Sequence, residues 1–280
     1  TVLFGMNYGI TKSKQIPLSE IRKILEIAEK YGVKVIDTAP SYGNSEKMLG
    51  EALKKSHDFK IVTKTITFPH SYITKEMVDE LKKGVYQSLN HLKQDRLYGL
   101  LVHQQSDLFK PNAELLFFEM KKMKEQGIIS KIGVSIYTGH DIDQVLRHYD
   151  VDIIQVPINV LDQRLVHSGH LTRMKKRKIE IHARSVFLQG LLTMPVHQLP
   201  SRFKPLIPLL NKYHSSLKEK GYSLIEGAIH FVKGLTDIDY IIVGVNSADQ
   251  LLEIIQAYHT EISFDYTPFQ CHNEQIIDPR

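Results

Sequence analysis

Apolar and polar positions along the chain alternate between a helical and an extended spacing. Between Ser19 and Gly32 the apolar residues recur at i, i+3, i+4 and i+7, which predicts a helix that Ser19 caps and Gly32 ends. A short apolar run at residues 33–37 predicts a strand, and the two patterns then repeat along the chain. The further predicted helices cover residues 45–55, 74–92, 113–126, 140–148, 165–177, 205–233 and 247–258. The further predicted strands cover residues 3–7, 60–64, 98–103, 131–135, 151–156, 179–184 and 240–244.

The order of these elements predicts eight strand–helix units. Strict alternation implies parallel strands joined by helical crossovers, which suits either a doubly wound sheet or a (β/α)8 barrel. A doubly wound dinucleotide fold would carry G-x-G-x-x-G after its first strand, and no G-x-G occurs among the 16 glycines. The sequence therefore predicts an α/β fold, a single (β/α)8 TIM-barrel domain over residues 1–280.

Composition limits the cellular compartments in which this barrel is expected to function. Hydrophobic residues make up 42% of the 280 positions, which is enough for a large core. The only cysteine, Cys271, excludes a disulfide framework and favours a reducing, cytoplasmic location. No apolar run approaches the ~20 residues of a membrane span, and the first five residues are unlike a signal peptide, so no membrane association is expected.

The charge balance gives little reason to expect a nucleic-acid partner. The net charge is +5, spread over a chain of 280 residues. Five of the six residues at positions 173–178 are basic, but they fall at the end of a predicted helix, where cations are stabilised by the helix dipole. We interpret this run as a solvated helix end. The oligomeric state stays open.

Ionisable side chains follow three consecutive predicted strands. Asp37, Lys64 and His103 each end one strand, and Tyr42 lies five residues beyond Asp37 in the following loop. Barrel enzymes place their chemistry at the C-terminal ends of the strands, so these four side chains are expected to converge on one rim. Taken singly, each has an ordinary structural explanation as a cap, core or packing residue. Their joint position favours a catalytic site.

A lysine at the end of an apolar strand needs an anionic partner, because a buried ammonium is costly when unpaired. Asp37 on the neighbouring strand is the candidate partner of Lys64. The remaining protons of Lys64 would then favour a phenolate at Tyr42. This arrangement predicts that Tyr42 is a general acid that can protonate an oxyanion near neutral pH.

The same segment resembles a known family. Residues 37–46 read D-T-A-P-S-Y-G-N-S-E and are followed by Leu49-Gly50, which resembles the D-T-A-x-x-Y-G-x-S-E signature of the aldo-keto reductases. The resemblance implies a nicotinamide-dependent oxidoreductase that reduces a small-molecule aldehyde or ketone to an alcohol. It implies that Tyr42 protonates the carbonyl oxygen, that Lys64 and Asp37 tune Tyr42, and that His103 orients the carbonyl.

The resemblance also marks positions for the cofactor. Ser135 matches a carboxamide contact of the family, but Ile136 stands where an asparagine is expected, so one contact is missing. Either Arg184 or Phe187 would stack on the nicotinamide, or Arg184 is simply paired at a strand end. The cofactor-binding positions implied by the resemblance are Ser135, Gln155, Arg184, Gly190, Gly244, Asn246, Ser247, Gln250 and Glu253.

The adenosine end of this implied site departs from the family pattern. Asn246 stands at the position of a cation, and Gln250 stands where an arginine is common. Ser247 and Gln250 also have the spacing of a capping box, which would start a helix whatever binds there. Because a helix N-terminus attracts phosphate, NADP(H) is predicted to be preferred by a reduced margin, with NAD(H) also possible.

The substrate is less well defined than the reaction. Residues 261–280 are few, which predicts an open site that admits a bulky or polar carbonyl such as a sugar derivative. Residues 4–10, F-G-M-N-Y-G-I, are similar to the start of bacterial polysaccharide- or sugar-pathway members of the family. The alternative is a nicotinamide-binding regulatory or redox-sensing subunit with little turnover. No metal is expected, since the first predicted strand lacks H-x-H and the spacing of His167 and His170 is attributed to chance.

Overall fold

Parallel strands pair side by side in chain order and form a nearly closed barrel. The computed structural model describes residues 1–7, 9–10 and 14–277, and within them seven strands make one sheet. Each neighbouring pair is parallel, which confirms the predicted barrel class. The strands are β1 (Val35–Asp37), β2 (Lys60–Lys64), β3 (Leu97–Val102), β4 (Ile129–Ser135), β5 (Ile153–Pro157), β6 (Glu180–Arg184) and β7 (Tyr240–Ile241).

Helices surround the strands and bury their apolar faces against them. In α2, for example, the predicted stripe of Ile21, Ile24, Leu25 and Ala28 is buried. The helices of the described residues are α1 (Val2–Gly5), α2 (Leu18–Lys30), α3 (Ser45–Ala52), α4 (Lys75–Leu92), α5 (Glu114–Glu125), α6 (Gly139–His148), α7 (Arg164–His167), α8 (His170–Lys176), α9 (Ile207–Glu219), α10 (Leu224–Lys233), α11 (Ala248–His259) and α12 (Glu274–Ile277). No helix of this part of the chain is long and apolar enough to cross a membrane.

The strand predicted at residues 3–7 is wrong. Residues 2–5 form the single turn α1, in which the Met6 N–H donates to the Val2 carbonyl at 3.1 Å. Phe4 is buried, and Gly5 lies against the backbone of Tyr42 so closely that a side chain would not fit. A short apolar run does not distinguish a strand from a buried helical turn, which is why the pattern misled. Tyr8 of the motif at residues 4–10 and the last three residues of the predicted domain lie outside the described residues.

Two long predicted helices are each divided by a glycine in the left-handed region. Gly169, with φ of 73°, separates α7 from α8, and Gly221, with φ of 76°, follows α9. Glycine adopts this conformation without the steric cost that a side chain would add. A capping box between Ser223 and Glu226 then starts α10. The apolar spacing continues through both breaks, so the periodicity alone does not show them.

Element ends differ from the predictions by a few residues elsewhere. The first long helix begins at Leu18 with Pro17 at the N-cap position, so Ser19 lies in its first turn rather than capping it. The strand β7 ends at Ile241 instead of residue 244. Its pairing with β6 has two residue pairs, His182 with Tyr240 and Ala183 with Ile241. The residues from there to Gly244 form a loop at the barrel mouth.

A polar cluster closes the base of the barrel, at the start of the strands. The Glu180 carboxylate, on the first residue of β6, accepts from the Tyr98 hydroxyl at 2.7 Å and the Lys131 ammonium at 2.5 Å. His182 Nε2 lies 2.7 Å from its other oxygen. Burial alone would raise the pKa of Glu180, but His182, Lys131 and Tyr98 lower it to about 2. This cluster lies at the opposite end of the strands from the expected chemistry, and its contacts join β3, β4 and β6.

Candidate active site

The strand ends bring Asp37 and Lys64 into direct contact. They are the last residues of β1 and β2, and the Lys64 Nζ lies 2.8 and 2.7 Å from the two carboxylate oxygens of Asp37. The ammonium also donates to the Thr38 carbonyl at 2.9 Å. The Lys64 side chain is 1% exposed and that of Asp37 is 9% exposed. The pair is therefore a buried, bidentate ion pair at the barrel mouth.

Both groups of this pair are held in their charged forms. Burial acts to lower the pKa of Lys64, but Asp37 and then Tyr42 outweigh it, so the pKa is raised. Burial acts to raise the pKa of Asp37, but Lys64 outweighs it, and the pKa is lowered. The site therefore keeps a cation in a poorly solvated position at neutral pH.

Tyr42 lies on the other side of the lysine. The Lys64 Nζ is 5.1 Å from the centroid of the Tyr42 ring, and the ring meets that of His103 edge-on at 6.0 Å between centroids. Gly43, with φ of 59°, lies against the Gly5 carbonyl, so the loop that carries Tyr42 is packed tightly onto α1. Tyr42, Lys64 and His103 thus face one another across the same opening.

Polar residues of the 37–46 motif tie this loop to the neighbouring strand. The hydroxyls of Thr38 and Ser45 lie 3.1 Å apart, and both side chains are buried. The Thr63 hydroxyl, directly before Lys64, donates to the Glu46 carboxylate at 2.6 Å. Burial raises the pKa of Glu46. These contacts explain why the motif carries small polar residues around the tyrosine: they fix the loop relative to β2.

His103 follows directly after β3 and is neutral at pH 7. Burial is the main cause that lowers its pKa to about 4, and the nearby Lys64 and Arg184 charges act in the same direction. The Ser41 hydroxyl lies 3.3 Å from its Nδ1. A neutral imidazole can donate one hydrogen bond to a carbonyl oxygen without adding charge to the site.

One cavity of about 550 Å³ runs from these residues to the loop after β7. None of the described residues 261–277 lines it. Two positions implied by the resemblance, Ser247 and Glu253, are outside its lining, since Ser247 caps α11 and Glu253 is exposed on that helix. The other predicted positions that line it are Asp37, Tyr42, Lys64, His103, Ser135, Gln155, Arg184, Gly190, Gly244, Asn246 and Gln250.

The middle of the cavity differs from the pattern that the resemblance implies. Ser135, the last residue of β4, lies beside Gln155 in the middle of β5. The Gln155 amide donates to Asp37 Oδ1 at 2.8 Å, so it supports the ion pair directly. Ile136 is fully buried in the apolar core and offers no polar group to the cavity. Gln155 is therefore connected to the acid–base group, a contact that strand spacing did not predict.

Arg184, the last residue of β6, stacks on an aromatic ring. Its guanidinium carbon lies 4.3 Å from the centroid of the Tyr137 ring. The Arg184 Nη1 is 3.3 Å from the Ser185 hydroxyl, whereas its Nε and Nη2 are buried without an acceptor. Buried donors without protein acceptors are uncommon in folded proteins, and Arg184 lines the cavity, where a bound ligand or water would accept from them. Tyr137 was not predicted; its only sequence signal is an aromatic residue two positions after Ser135.

Strained backbone is concentrated in the loop that follows β6. Ser185, Leu188 and Gln189 have φ of 59°, 46° and 56°, a region that residues with side chains seldom adopt. Gly190, with φ of 93°, comes next. Ser185, Gln189 and Gly190 all line the cavity. Such strain costs about 1–3 kcal/mol per residue and is concentrated at ligand-binding sites.

Metal ligation has no support in the described residues, where no group of three or more His, Cys, Asp or Glu side chains could hold an ion. His167 Nε2 lies 3.2 Å from Gln163 Oε1. His170 instead contacts the Ser168 hydroxyl at 2.6 Å. The two histidines therefore have separate protein partners.

Comparison with known proteins identifies the family of the chain. A model of the Aldo/keto reductase family matches residues 1–266. The chain is 31% identical over 191 residues to the NADH-specific methylglyoxal reductase of Escherichia coli K12, a match that covers 62% of this chain and 58% of that protein. It is 27% identical over 279 residues to the aldo-keto reductase YhdN of Bacillus subtilis 168, covering 88% of this chain and 80% of the relative.

Solved structures share the fold at lower identity. The holo form of aldo-keto reductase AKR11C1 from Bacillus halodurans superposes with a TM-score of 0.70 at 20% identity, over 89% of this chain and 84% of that one. The glycerol dehydrogenase AKR11B4 from Gluconobacter oxydans gives a TM-score of 0.71 at 19% identity, over 94% and 85% of the two chains. The barrel, the match to the family model and the relatives agree, and the chain belongs to the aldo/keto reductase family.

Proposed function

We propose that this protein reduces an aldehyde or ketone to an alcohol with a reduced nicotinamide dinucleotide, and that Tyr42 is the proton donor. The observation that carries the proposal is the contact of one buried ammonium, Lys64, with both Asp37 and the ring of Tyr42 at the mouth of a cavity. The E. coli relative is named a methylglyoxal reductase, which supports carbonyl reduction as the reaction class.

The cavity fits a dinucleotide. Its volume of about 550 Å³ is in the usual range for small-molecule sites, and its lining extends from Asp37 to Gln250. The orphaned Arg184 donors and the strained loop around Gly190 are features that a bound ligand would complete. Ser135, Gln155 and Arg184 would hold the nicotinamide end, and Gly244, Asn246 and Gln250 would hold the adenosine end. The bound cofactor would supply the hydride.

The protein's own groups would handle the proton. As the carbonyl carbon gains the hydride, the carbonyl oxygen gains negative charge, and Tyr42 donates its hydroxyl proton to it. Lys64 stabilises the phenolate that remains, because its ammonium lies beside the ring and is held by Asp37. A proton from solvent then restores Tyr42. Neutral His103 would donate to the same oxygen and fix the orientation of the carbonyl.

The finer predictions on substrate, cofactor form and location are part of this proposal. Because none of the described residues 261–277 covers the cavity, we propose a bulky or polar carbonyl, such as a sugar derivative, as the substrate. We also propose a cytoplasmic location. A preference for the phosphorylated cofactor stays a sequence-based prediction, and the surroundings of the adenosine end, described below, argue against it.

Turnover of carbonyl compounds tests the proposal. The purified protein is given NADH or NADPH together with a panel of aldehydes, ketones and sugar-derived carbonyls. It should oxidise at least one of the two reduced dinucleotides, which the loss of the nicotinamide absorbance measures. The matched control is a panel of the corresponding alcohols, which should leave the reduced cofactor unconsumed. Saturable binding of a dinucleotide without any turnover would indicate the regulatory or redox-sensing alternative. No binding at millimolar concentration would overturn both.

A further inference from the structure

A glutamate from the first long helix reaches the start of the last long helix. Glu20 lies in the first turn of α2, and its Oε1 accepts a hydrogen bond from the backbone N–H of Ala248 at 2.7 Å. Ala248 is the first residue of α11, and the two residues are 228 positions apart in the chain. The side chain of Glu20 is 23% exposed, so the carboxylate lies at the protein surface rather than in the core.

This contact lies beside the end of the cavity that would hold the adenosine of the cofactor. Asn246 and Gln250, which flank Ala248, both line the cavity. The N–H of Asn246 donates to the Gln250 side chain at 2.9 Å, and the N–H of Gln250 donates to the Ser247 hydroxyl at 3.1 Å. With Ala248 bound to Glu20, three N–H groups that would attract a phosphate already have acceptors within the protein.

The charges around this end of the cavity are mainly negative. Asp249 and Glu253 are both exposed on α11, and Glu20 adds a third carboxylate. Lys23 lies 3.6 Å from Glu20, but its side chain is 66% exposed, so its charge is well screened by solvent. Among the described residues lining the cavity, the lysine and arginine side chains are Lys64 and Arg184, and both lie at strand ends, by the predicted nicotinamide position.

We infer that Glu20 sets the cofactor preference of this protein, by repelling the 2′-phosphate of NADP(H) at the start of α11 and thereby favouring NAD(H). This inference rests on the proposed function and deepens it. It reverses the sequence-based prediction, which took account of the missing cation at Asn246 but not of a carboxylate supplied by a distant helix. The sequence predicted a helix N-terminus that would attract phosphate. In the fold, the Glu20 carboxylate accepts a hydrogen bond from that N-terminus.

The expected size of the effect follows from Coulomb's law. A phosphate with a charge of about −1.5 to −2 held within a few ångströms of the Glu20 carboxylate, in surroundings close to water, would be disfavoured by about tenfold in affinity. A dinucleotide without the 2′-phosphate does not experience this repulsion. The effect is electrostatic, so raising the salt concentration should reduce it.

The test compares dissociation constants of NADH and NADPH for the wild type and for Glu20→Gln, measured by nicotinamide fluorescence at low and high salt. Glutamine keeps an oxygen that accepts from Ala248 and removes only the charge. NADPH should bind about tenfold more tightly to Glu20→Gln than to the wild type, with NADH affinity unchanged within about twofold. Glu26→Gln, the same change at an exposed position of α2, is the matched control and should change neither constant.

Two further measurements separate the outcomes. Asn246→Arg adds a cation at the expected phosphate position and should tighten NADPH alone, which verifies where the phosphate lies. If Glu20→Gln weakens the binding of both dinucleotides equally and lowers the melting temperature, Glu20 only stabilises the start of α11 and the inference is overturned. An unchanged ratio of the two constants would also overturn it, while the proposed function would stand. Failure of the wild type to bind either dinucleotide would overturn both.

Discussion

The ammonium of Lys64 lies within 2.8 Å of both carboxylate oxygens of Asp37 in a site where the lysine side chain is 1% exposed. The Gln155 amide donates to the same carboxylate, so Asp37 accepts from two side chains of the barrel interior. A cation buried this deeply is costly unless it is paired, and the fold provides the partner on the adjacent strand. The result is a fixed positive charge beside Tyr42.

Replacing Tyr42 by phenylalanine should remove the proton donor and leave the ring in place. Turnover should fall by about 10²–10⁴-fold, the usual contribution of a positioned general acid. Dinucleotide affinity should change little, because the hydroxyl would face the carbonyl substrate. Steady-state rates and fluorescence titration measure the two quantities. Tyr86→Phe, at a tyrosine exposed on α4, is the control, and near-normal turnover of Tyr42→Phe would exclude Tyr42 as the proton donor.

Breaking the buried ion pair from its two sides should have unequal effects. Lys64→Met removes the charge beside Tyr42 and leaves Asp37 buried and unpaired, which costs about 3–5 kcal/mol of unfolding free energy. Asp37→Asn leaves the Lys64 charge in place, with the Thr38 carbonyl as a remaining acceptor, so activity should fall less. Denaturant unfolding and turnover measure both effects.

The control for this comparison is an ion pair on the surface. Lys54 contacts Glu29 at 2.6 Å, but the two side chains are 64% and 42% exposed. Lys54→Met should therefore change stability little and leave turnover unaffected. Equal and negligible effects of Lys64→Met and Asp37→Asn would mean that the buried pair does not support catalysis.

The pH dependence of stability should report on His103. Its folded-state pKa of about 4 is below the ordinary value of 6.5, so between these pH values the unfolded chain binds a proton that the folded protein does not. Stability from this group is therefore present above pH 6.5 and lost as pH falls towards 4. His103→Gln should lose less stability over this window than the wild type, as measured by melting temperature from pH 7 to 4.5. A parallel loss in the two proteins would contradict the assignment.

The base of the barrel should respond to acid in a lower window. The Glu180 pKa of about 2 is below its ordinary value of 4.5, so its contribution is present above pH 4.5 and lost as pH falls towards 2. Glu180→Gln should be less stable than the wild type at pH 7, because it weakens the contacts with Lys131 and His182. The difference should shrink in acid. Glu125→Gln, exposed on α5, should show no such convergence.

The sequence by itself determined the class of fold and the residues that meet at its mouth. Helical and extended apolar patterns alternate along the chain, which requires parallel strands with helical crossovers. The C-terminal ends of parallel strands in a barrel lie on one rim. Asp37, Lys64 and His103 could therefore be placed together from strand ends alone, and Tyr42 followed from its distance along the loop. These features depend on residues close together in the chain, so the short-range spacing of residue types predicts them.

The tertiary structure decided what those local patterns leave open. Residues 2–5 form a helical turn in which Gly5 packs against the backbone of the tyrosine loop and Phe4 is buried, and a short apolar run predicts neither contact. Arg184 stacks on Tyr137 because two strand ends converge. Glu20 reaches Ala248 because closing the barrel brings the first and last long helices together, 228 residues apart. Hydrophobic periodicity predicts which face of an element is buried. It does not predict which distant side chain accepts a hydrogen bond from a helix N-terminus, and here that contact places the Glu20 carboxylate at the start of α11.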